Sequence, residues 1–320
     1  MRGDPLSVAG GSRFTPSSTG PWQGSRWRGA AGTGEKLVID FWHPTGAVKP
    51  SAGEPWLTGG REAFRSRFGE DPVAFDRTRP VAPPAVFDDI MALAQLRAGS
   101  SVVEIGPGTG QATRPLAERG LRVLALEIDE RLAALARENL AGLPGARVQT
   151  SSFEEWDPAG AVFDAVVACN SFHWVDPAAR LVKAASVLAP HGSLVLVSTP
   201  VVVPAGASRF WWDVQDDWEA VGAVRVDPAS KHPDLVPDPA AGAARSDLFD
   251  DPVTVRHEFA MTLSAADYAT NLSTQSGFKE LPEAAQAELL IRVANRAEAF
   301  GGTVTVHHLA VVTVAKRRQR

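Results

Sequence analysis

The sequence predicts an α/β fold: a mostly parallel sheet with helices on both faces, and helical insertions added to it. Three observations predict it. From Ser101 to Ser198, short apolar runs alternate with stretches of helical spacing. The apolar runs are near-continuous, as in parallel strands covered on both faces. Glycines mark several of the junctions between the two kinds of segment.

Each element follows in order. Residues 1 to about 35 are rich in Gly, Ser, Pro and Arg, with Asp4 and Glu35 as their acids, and show no periodicity. Such composition predicts disorder. "KLVIDFW" is one short apolar run among turn signals, so residues 1–58 are expected to form a poorly structured N-terminal extension. Regular structure is expected over 59–320 as one domain. "REAFRSRF" suggests a short helix, and "PPAVFDDIMALAQL" a longer one opened by prolines. "SVVEI" reads as the first strand, and "GQATRPLAERG" as a helix stopped at Gly120. "RVLALEI" is the second strand, and "DERLAALARENL" a helix with Asp129 in the cap region. "ARVQT" and "FDAVVACN" are the third and fourth strands, "DPAARLVKAASVL" a helix, and "GSLVLVS" the fifth strand. The pattern then loosens. "SRFWWDVQDDWEAVG" has helical spacing, and Val226 to Asp251 is a Pro/Asp/Ala-rich connection. "VTVRHEFAMTL" resembles a strand. "SAADYATNLS", capped by Ser264, and "PEAAQAELLIRVANRAEAF" resemble helices, and "GGTVTVHHLAVVTVAKR" is a closing strand. The insertions fall at about 200–252 and 264–300.

Composition narrows the function. The 320 residues carry a formal net charge of −5, which disfavours a generic nucleic-acid binder. A basic tail, Lys316 to Arg320, reads as a solvated terminus. Cys169 is the single cysteine, so neither an intramolecular disulfide nor a cysteine-rich zinc site is available. No apolar run approaches the ~20 residues of a membrane span. A cytoplasmic protein, monomer or homodimer, with a small-molecule partner and no metal, nucleic acid or membrane, is expected.

"SVVEIGPGTGQ" carries the chemistry. A strand ending in a glycine turn that opens a helix presents backbone N–H groups and a favourable dipole to a ligand. The dinucleotide fingerprint is G-x-G-x-x-G. Here the spacing is G-x-G-x-G, and Gln111 stands where the third glycine would be. Glu104 lies just before the loop. A carboxylate there repels a pyrophosphate and attracts an ammonium group. Glu127, near the end of the second strand, can accept both hydroxyls of a ribose. It serves a nicotinamide dinucleotide and S-adenosylmethionine equally. Ser152 and Phe153 in "SSFEEWDP", and Asn170 in "CNSFHWVDP", follow the third and fourth strands, where open parallel sheets bind ligands.

Together these segments resemble class I S-adenosylmethionine-dependent methyltransferases. "VVEIGPGTG", "LALEID", "SSFEEWD" and "FDAVVACNSFHWVDP" fall in that family's order and spacing. "FDRTRP" and "FHWVDP" resemble a bacterial small-molecule branch, in which Phe75 stands where tyrosine is common. The resemblance implies a Rossmann-like seven-stranded sheet with one antiparallel strand and a helical lid. It implies that Gly106, Pro107, Gly108 and Gly110 hold the methionine part, with Glu104 at its ammonium group. Glu127 would bind the ribose and Ile128 lie against the adenine. Ser152 and Phe153 would contact adenine, and Asn170 would sit near the sulfonium.

Methyl transfer needs a nucleophile about 3 Å from the methyl carbon, opposite sulfur. His173, three residues beyond Asn170, is the candidate base or substrate-orienting residue; packing against Trp174 is the alternative. Phe75, Arg79, Trp174, Trp211 and Tyr268 are candidate pocket residues, and Arg79 could instead meet the cofactor carboxylate. His307 and His308 adjoin on one strand, so they point to opposite faces and make no metal pair. Asn170 is not followed by two prolines, which argues against DNA-adenine methylation, and Cys169 follows Ala168, not proline, which leaves a covalent cytosine mechanism unsupported. Two other readings stay open: a nicotinamide-dependent oxidoreductase, and a non-catalytic module that keeps the cofactor pocket.

Overall fold

The computed structural model describes residues 65–239, 243 and 246–319. The expected extension over residues 1–58, with its "KLVIDFW" run, lies outside the described residues.

Four strands run parallel: β1 (Ser101–Ile105), β2 (Arg122–Glu127), β3 (Ala146–Thr150) and β4 (Phe163–Cys169). β5 (Leu188–Ser198) continues them beside β4. The sheet is completed by β6 (Val201–Val202), β7 (Val253–Ser264) and β8 (Thr303–Lys316). The order is β3-β2-β1-β4-β5-β8-β6, with β7 on the other edge of β8. β8 pairs antiparallel with β5, β6 and β7. This is the expected Rossmann-like sheet with one reversed strand. The two-residue β6 is an addition, too short to leave a sequence signal. It exists because β5 breaks at Thr199–Pro200 and resumes along the same edge of β8. Proline cannot donate to a ladder, so the pairing stops there.

Along β1, alternate residues face opposite layers. Val102 joins one core with α2 (Pro84–Leu93) and α3 (Thr113–Glu118). Val103 and Ile105 join the other, with α5 (Arg180–Val187), Phe163 and Trp156. Between α3 and α5 in sequence, α4 (Glu130–Asn139) packs on β2 and β3. Asp129 caps it, accepting from the N–H groups of Arg131 and Leu132 at 2.9 and 3.2 Å. Asp129→Ala should therefore lower stability by about 1 kcal/mol. Urea unfolding checks this; an unchanged midpoint would mean the cap contributes nothing.

The insertions build a third core over the same end of the sheet. It joins α6 (Phe210–Ala220), α7 (Ala265–Ser273), α8 (Ser276–Lys279) and α9 (Glu283–Ala299) to the start of β8. Ser264 caps α7 by accepting from Asp267 N–H at 3.0 Å. The "REAFRSRF" segment is a 3₁₀ turn over Ser66–Glu70, its first four residues lying outside the described set. A helix not expected from the sequence follows it: α1 (Pro72–Thr78), opened by Asp71, which accepts from Ala74 N–H at 2.9 Å.

Candidate cofactor site and active site

The order of strands reverses between β1 and β4, and the loops at their carboxyl ends frame a crevice. The β1–α3 loop is its floor. Gly106 and Gly108 have φ of 62° and 61°, a region that L side chains enter at a cost. A Cβ on Gly106 would lie 2.7 Å from Ser171 Cβ, and one on Gly108 would lie 3.0 Å from Phe75 Cε1. The loop is thus bare backbone pressed between the β4 loop and α1. Ser171 Oγ donates to Ile105 O, tying the two loops together. From the other side, Thr109 Oγ1 donates to Asp76 Oδ1 at 2.5 Å, and Asn139 Nδ2 donates to the same oxygen at 3.0 Å.

Two acids stand beside the loop. Glu104 is 1% exposed. Its Oε2 accepts from Thr113 Oγ1 at 2.6 Å, while its Oε1 is buried without a partner. Burial pushes its carboxyl up to about 7; the Thr113 bond opposes this and the Glu127 charge adds to it. Glu127 accepts from Gly108 N–H at 2.9 Å and from Asp129 N–H at 3.0 Å. Burial raises it to about 7 as well, against those backbone bonds. Glu127 therefore braces the loop, and each carboxylate oxygen retains a lone pair for a ligand hydroxyl.

The sequence-derived residues divide into two groups. Glu104, Gly106, Pro107, Gly108, Gly110, Glu127 and Asn170 meet at the carboxyl end of the sheet, and Ile128 continues β2 there. Asn170 adopts φ of 55° and clasps Thr199: its Nδ2 donates to Thr199 Oγ1 at 2.6 Å, and its Oδ1 accepts from Thr199 N–H at 2.7 Å. Asparagine is among the few residues that tolerate this backbone. Phe75 lies against the loop, with Arg79 stacked over its ring at 4.7 Å. His173 and Trp174 occupy a 3₁₀ turn after β4, with ring centroids 5.0 Å apart. The second group is turned elsewhere. Ser152 bonds Glu155, accepting from its N–H at 3.1 Å. Phe153 is buried in the sheet core, its ring 6.2 Å from that of Trp156. Trp211 and Tyr268 are buried in the lid core around Phe210.

Residues not singled out beforehand complete the crevice. Thr113 bonds Glu104 and Thr199 bonds Asn170, while Asp76 and Ser171 tie down the glycine loop through Thr109 and Ile105. His308 is the inward-facing member of the His307–His308 pair, 5% exposed. Among the described residues, no group of His, Cys, Asp and Glu could hold a metal ion.

This fold and crevice define a class. Residues 103–196 match the family model described as a methyltransferase domain. The match runs from β1 through most of β5, the part of the sheet that frames the crevice. Over 142 residues it is 37% identical to an uncharacterized methyltransferase of Mycobacterium tuberculosis, covering 44% of this chain and 55% of that one. The chain thus spans about half the length of the curated relatives it matches first. A shorter match, 45% identical over 65 residues, covers 20% of this chain and 17% of an rRNA adenine N-6-methyltransferase of Saccharopolyspora erythraea. A solved structure from Anaeromyxobacter dehalogenans, named as a type II methyltransferase, superposes with a TM-score of 0.50. That likeness has 18% identity and covers 75% of this chain and 97% of the other, so it bears on the fold alone.

The site fits S-adenosylmethionine, the cofactor of this class. Glu104 Oε1 is an acceptor without a donor, which an ammonium group would supply. The space beside Gly106 and Gly108 admits no side chain. When bound, the cofactor supplies an electrophilic methyl group. Glu104 and Glu127 are the residues that would hold its polar groups.

Proposed function

We propose that the chain transfers the methyl group of S-adenosylmethionine to a small, largely apolar metabolite by in-line displacement. The carrying observation is Glu104 Oε1, buried and unpartnered beside the left-handed glycine loop. A nicotinamide dinucleotide would bring a pyrophosphate to that carboxyl instead. Residues 59–320 act as one catalytic domain, with the insertions at 200–252 and 264–300 shaping the acceptor pocket. Phe75, Arg79 and Trp174 line it, and Trp211 and Tyr268 support it from the lid core. Ile128 serves the adenine side, with Ser152 and Phe153 backing it from the loop after β3. The "FDRTRP" and "FHWVDP" elements support the small-molecule branch, and a secondary-metabolite intermediate suits that branch. No helix among the described residues is long and apolar enough to cross a membrane. The chain acts in the cytoplasm as a monomer or homodimer, on a small molecule and not on nucleic acid.

Tritiated methyl transfer to a panel of apolar metabolites tests the reading. Label appears in at least one acceptor; label retained only by the cofactor would favour a non-catalytic module. His173 acts on the acceptor as base or orienting residue. His173→Ala is expected to lower turnover by roughly 10²-fold or more. Binding of S-adenosylhomocysteine should stay within about twofold, since on this reading His173 serves the acceptor and not the nucleoside. A large loss of that binding would make His173 a support of the loop.

A further inference from the structure

Two nitrogens at the carboxyl end of the sheet are buried without partners: Arg79 Nε and His308 Nε2. Arg79 Nη2 donates to Thr274 O at 2.7 Å, at the end of α7. The guanidinium meets no carboxylate among the described residues, and burial alone pulls it down to about 10. A buried cation without a counter-ion is costly unless a ligand supplies the charge.

His308 is oriented by its other nitrogen. Nδ1 lies 3.3 Å from Thr199 O. A carbonyl oxygen only accepts, so the hydrogen sits on Nδ1 and Nε2 presents a lone pair. The ring stacks on Phe259, with centroids 5.2 Å apart. Burial pushes His308 down to about 4, and the charges of Arg79 and His307 push the same way, against the Thr199 carbonyl. The ring is neutral at pH 7.

Register places His308 at the reaction end, and Arg79 stacks on Phe75, whose ring lies against Gly108 of the loop. Ser198 of β5 pairs with Val311, and His308 pairs with Val201 beyond the Thr199–Pro200 break. His308 therefore lies past the carboxyl end of β5. Thr199 bonds both His308 and Asn170, the residue the resemblance sets near the sulfonium.

We propose that Arg79 and His308 form the reactive subsite for the acceptor, and that the acceptor presents an acidic hydroxyl, a phenol or an enol, for O-methylation. The proposal rests on the methyltransferase reading above. A neutral lone pair beside an unpaired cation is what a neutral O–H requires: one group takes the proton, the other holds the charge left on oxygen. A protonated amine would be repelled by Arg79, and a carboxylate would meet the Nε2 lone pair. An aliphatic alcohol is too weak an acid for so weak a base. Arg79 lowers the pKa of the bound hydroxyl, and the resulting oxyanion raises that of His308, so the proton moves at small cost. His308 Nε2 takes the hydroxyl proton, which leaves His173 the orienting role. The oxygen forms its bond to the methyl carbon while the methyl–sulfur electron pair stays on sulfur. His308 then returns the proton to water.

The test is spectroscopic and needs no turnover. The full chain, saturated with S-adenosylhomocysteine, is titrated with 4-nitrophenol, whose phenolate is coloured. The bound probe is expected to be ionised roughly tenfold more than free probe at the same mildly acidic pH. 4-Nitroanisole, which lacks the hydroxyl, should bind more weakly. Arg79→Met and His308→Asn should each return the bound probe to the ionisation seen in water. Asparagine keeps a donor for Thr199 O, and Arg79→Lys should retain part of the effect, which separates loss of the subsite from misfolding. If S-adenosylhomocysteine fails to bind the unaltered chain, the methyltransferase reading falls. If it binds but the probe shows no saturable binding, or ionises no more than in water, the subsite is overturned and the reading survives. If Arg79→Met weakens S-adenosylhomocysteine but not 5′-methylthioadenosine, Arg79 holds the cofactor carboxylate and the subsite is likewise overturned.

Discussion

Replacing Glu104 with glutamine is expected to stabilise the empty protein above neutral pH and to weaken its hold on S-adenosylhomocysteine. Glu104 rises from an ordinary 4.5 to about 7 in the folded chain, chiefly through burial. An acid raised on folding binds its proton more tightly in the folded state. Its contribution is therefore fully present below about 4.5 and is lost as pH rises through about 7. Above that range the buried charge costs roughly 3 kcal/mol. Glutamine keeps an oxygen for the Thr113 hydroxyl and carries no charge, so Glu104→Gln should recover roughly 2–3 kcal/mol at about pH 8. Binding moves the other way. An ammonium group at Oε1 favours the ionised carboxyl, and a charged hydrogen bond of this kind is worth about 1.5–3 kcal/mol. The variant should bind S-adenosylhomocysteine roughly 10- to 100-fold more weakly. In the unaltered protein, affinity should climb between about pH 6 and 8 as Glu104 ionises, and Glu104→Gln should flatten that climb. Glu127 titrates over the same range, so some slope remains. Calorimetry and thermal unfolding across pH read both effects. A variant that binds as tightly as the parent would remove Glu104 from the cofactor site.

Gly106→Val should be the more damaging change. The left-handed backbone at Gly106 costs an L residue about 1–2 kcal/mol, more for a β-branched one. The new Cβ would also fall 2.7 Å from Ser171 Cβ, a contact that forces one of the two loops to move. Overpacking of this kind costs a further 1–3 kcal/mol or so. A total near 3–4 kcal/mol is a large share of the stability of a domain, commonly about 5–15 kcal/mol. The displaced loop is also the proposed cofactor floor. Binding of S-adenosylhomocysteine should fall by at least roughly 100-fold even where the variant still folds. Gly106→Ala, with the same Cβ but no branches, should show the same direction and a smaller loss. Near-parental binding by Gly106→Val would mean the loop does not contact the ligand.

The parallel half of the sheet was legible because strands covered on both faces need unbroken apolar runs, and "SVVEI", "RVLALEI" and "FDAVVACN" have them. The acid before the glycines was legible too, since charge and spacing are sequence properties. Its raised proton affinity was not, because that depends on how deeply the folded chain buries the carboxyl. α1 escaped notice for a physical reason: seven residues make two turns, too few for periodicity to emerge. The Asp71–Pro72 pair, a cap followed by a proline at the first helical position, was its usable signal. Phe153 shows the limit in loops, where no period dictates which way a ring points. Its ring joined the core beside Trp156. At His307–His308, alternation required one ring to face inward, but only the register with β6 and β7 and the break at Pro200 select His308.

Calorimetric titration of the full chain with S-adenosylhomocysteine, and separately with NAD, tests the central claim most directly. The structure predicts saturable one-site binding of S-adenosylhomocysteine that strengthens from mildly acidic to mildly basic pH, and no comparable binding of NAD. Saturable binding of NAD, with none of S-adenosylhomocysteine, would contradict it.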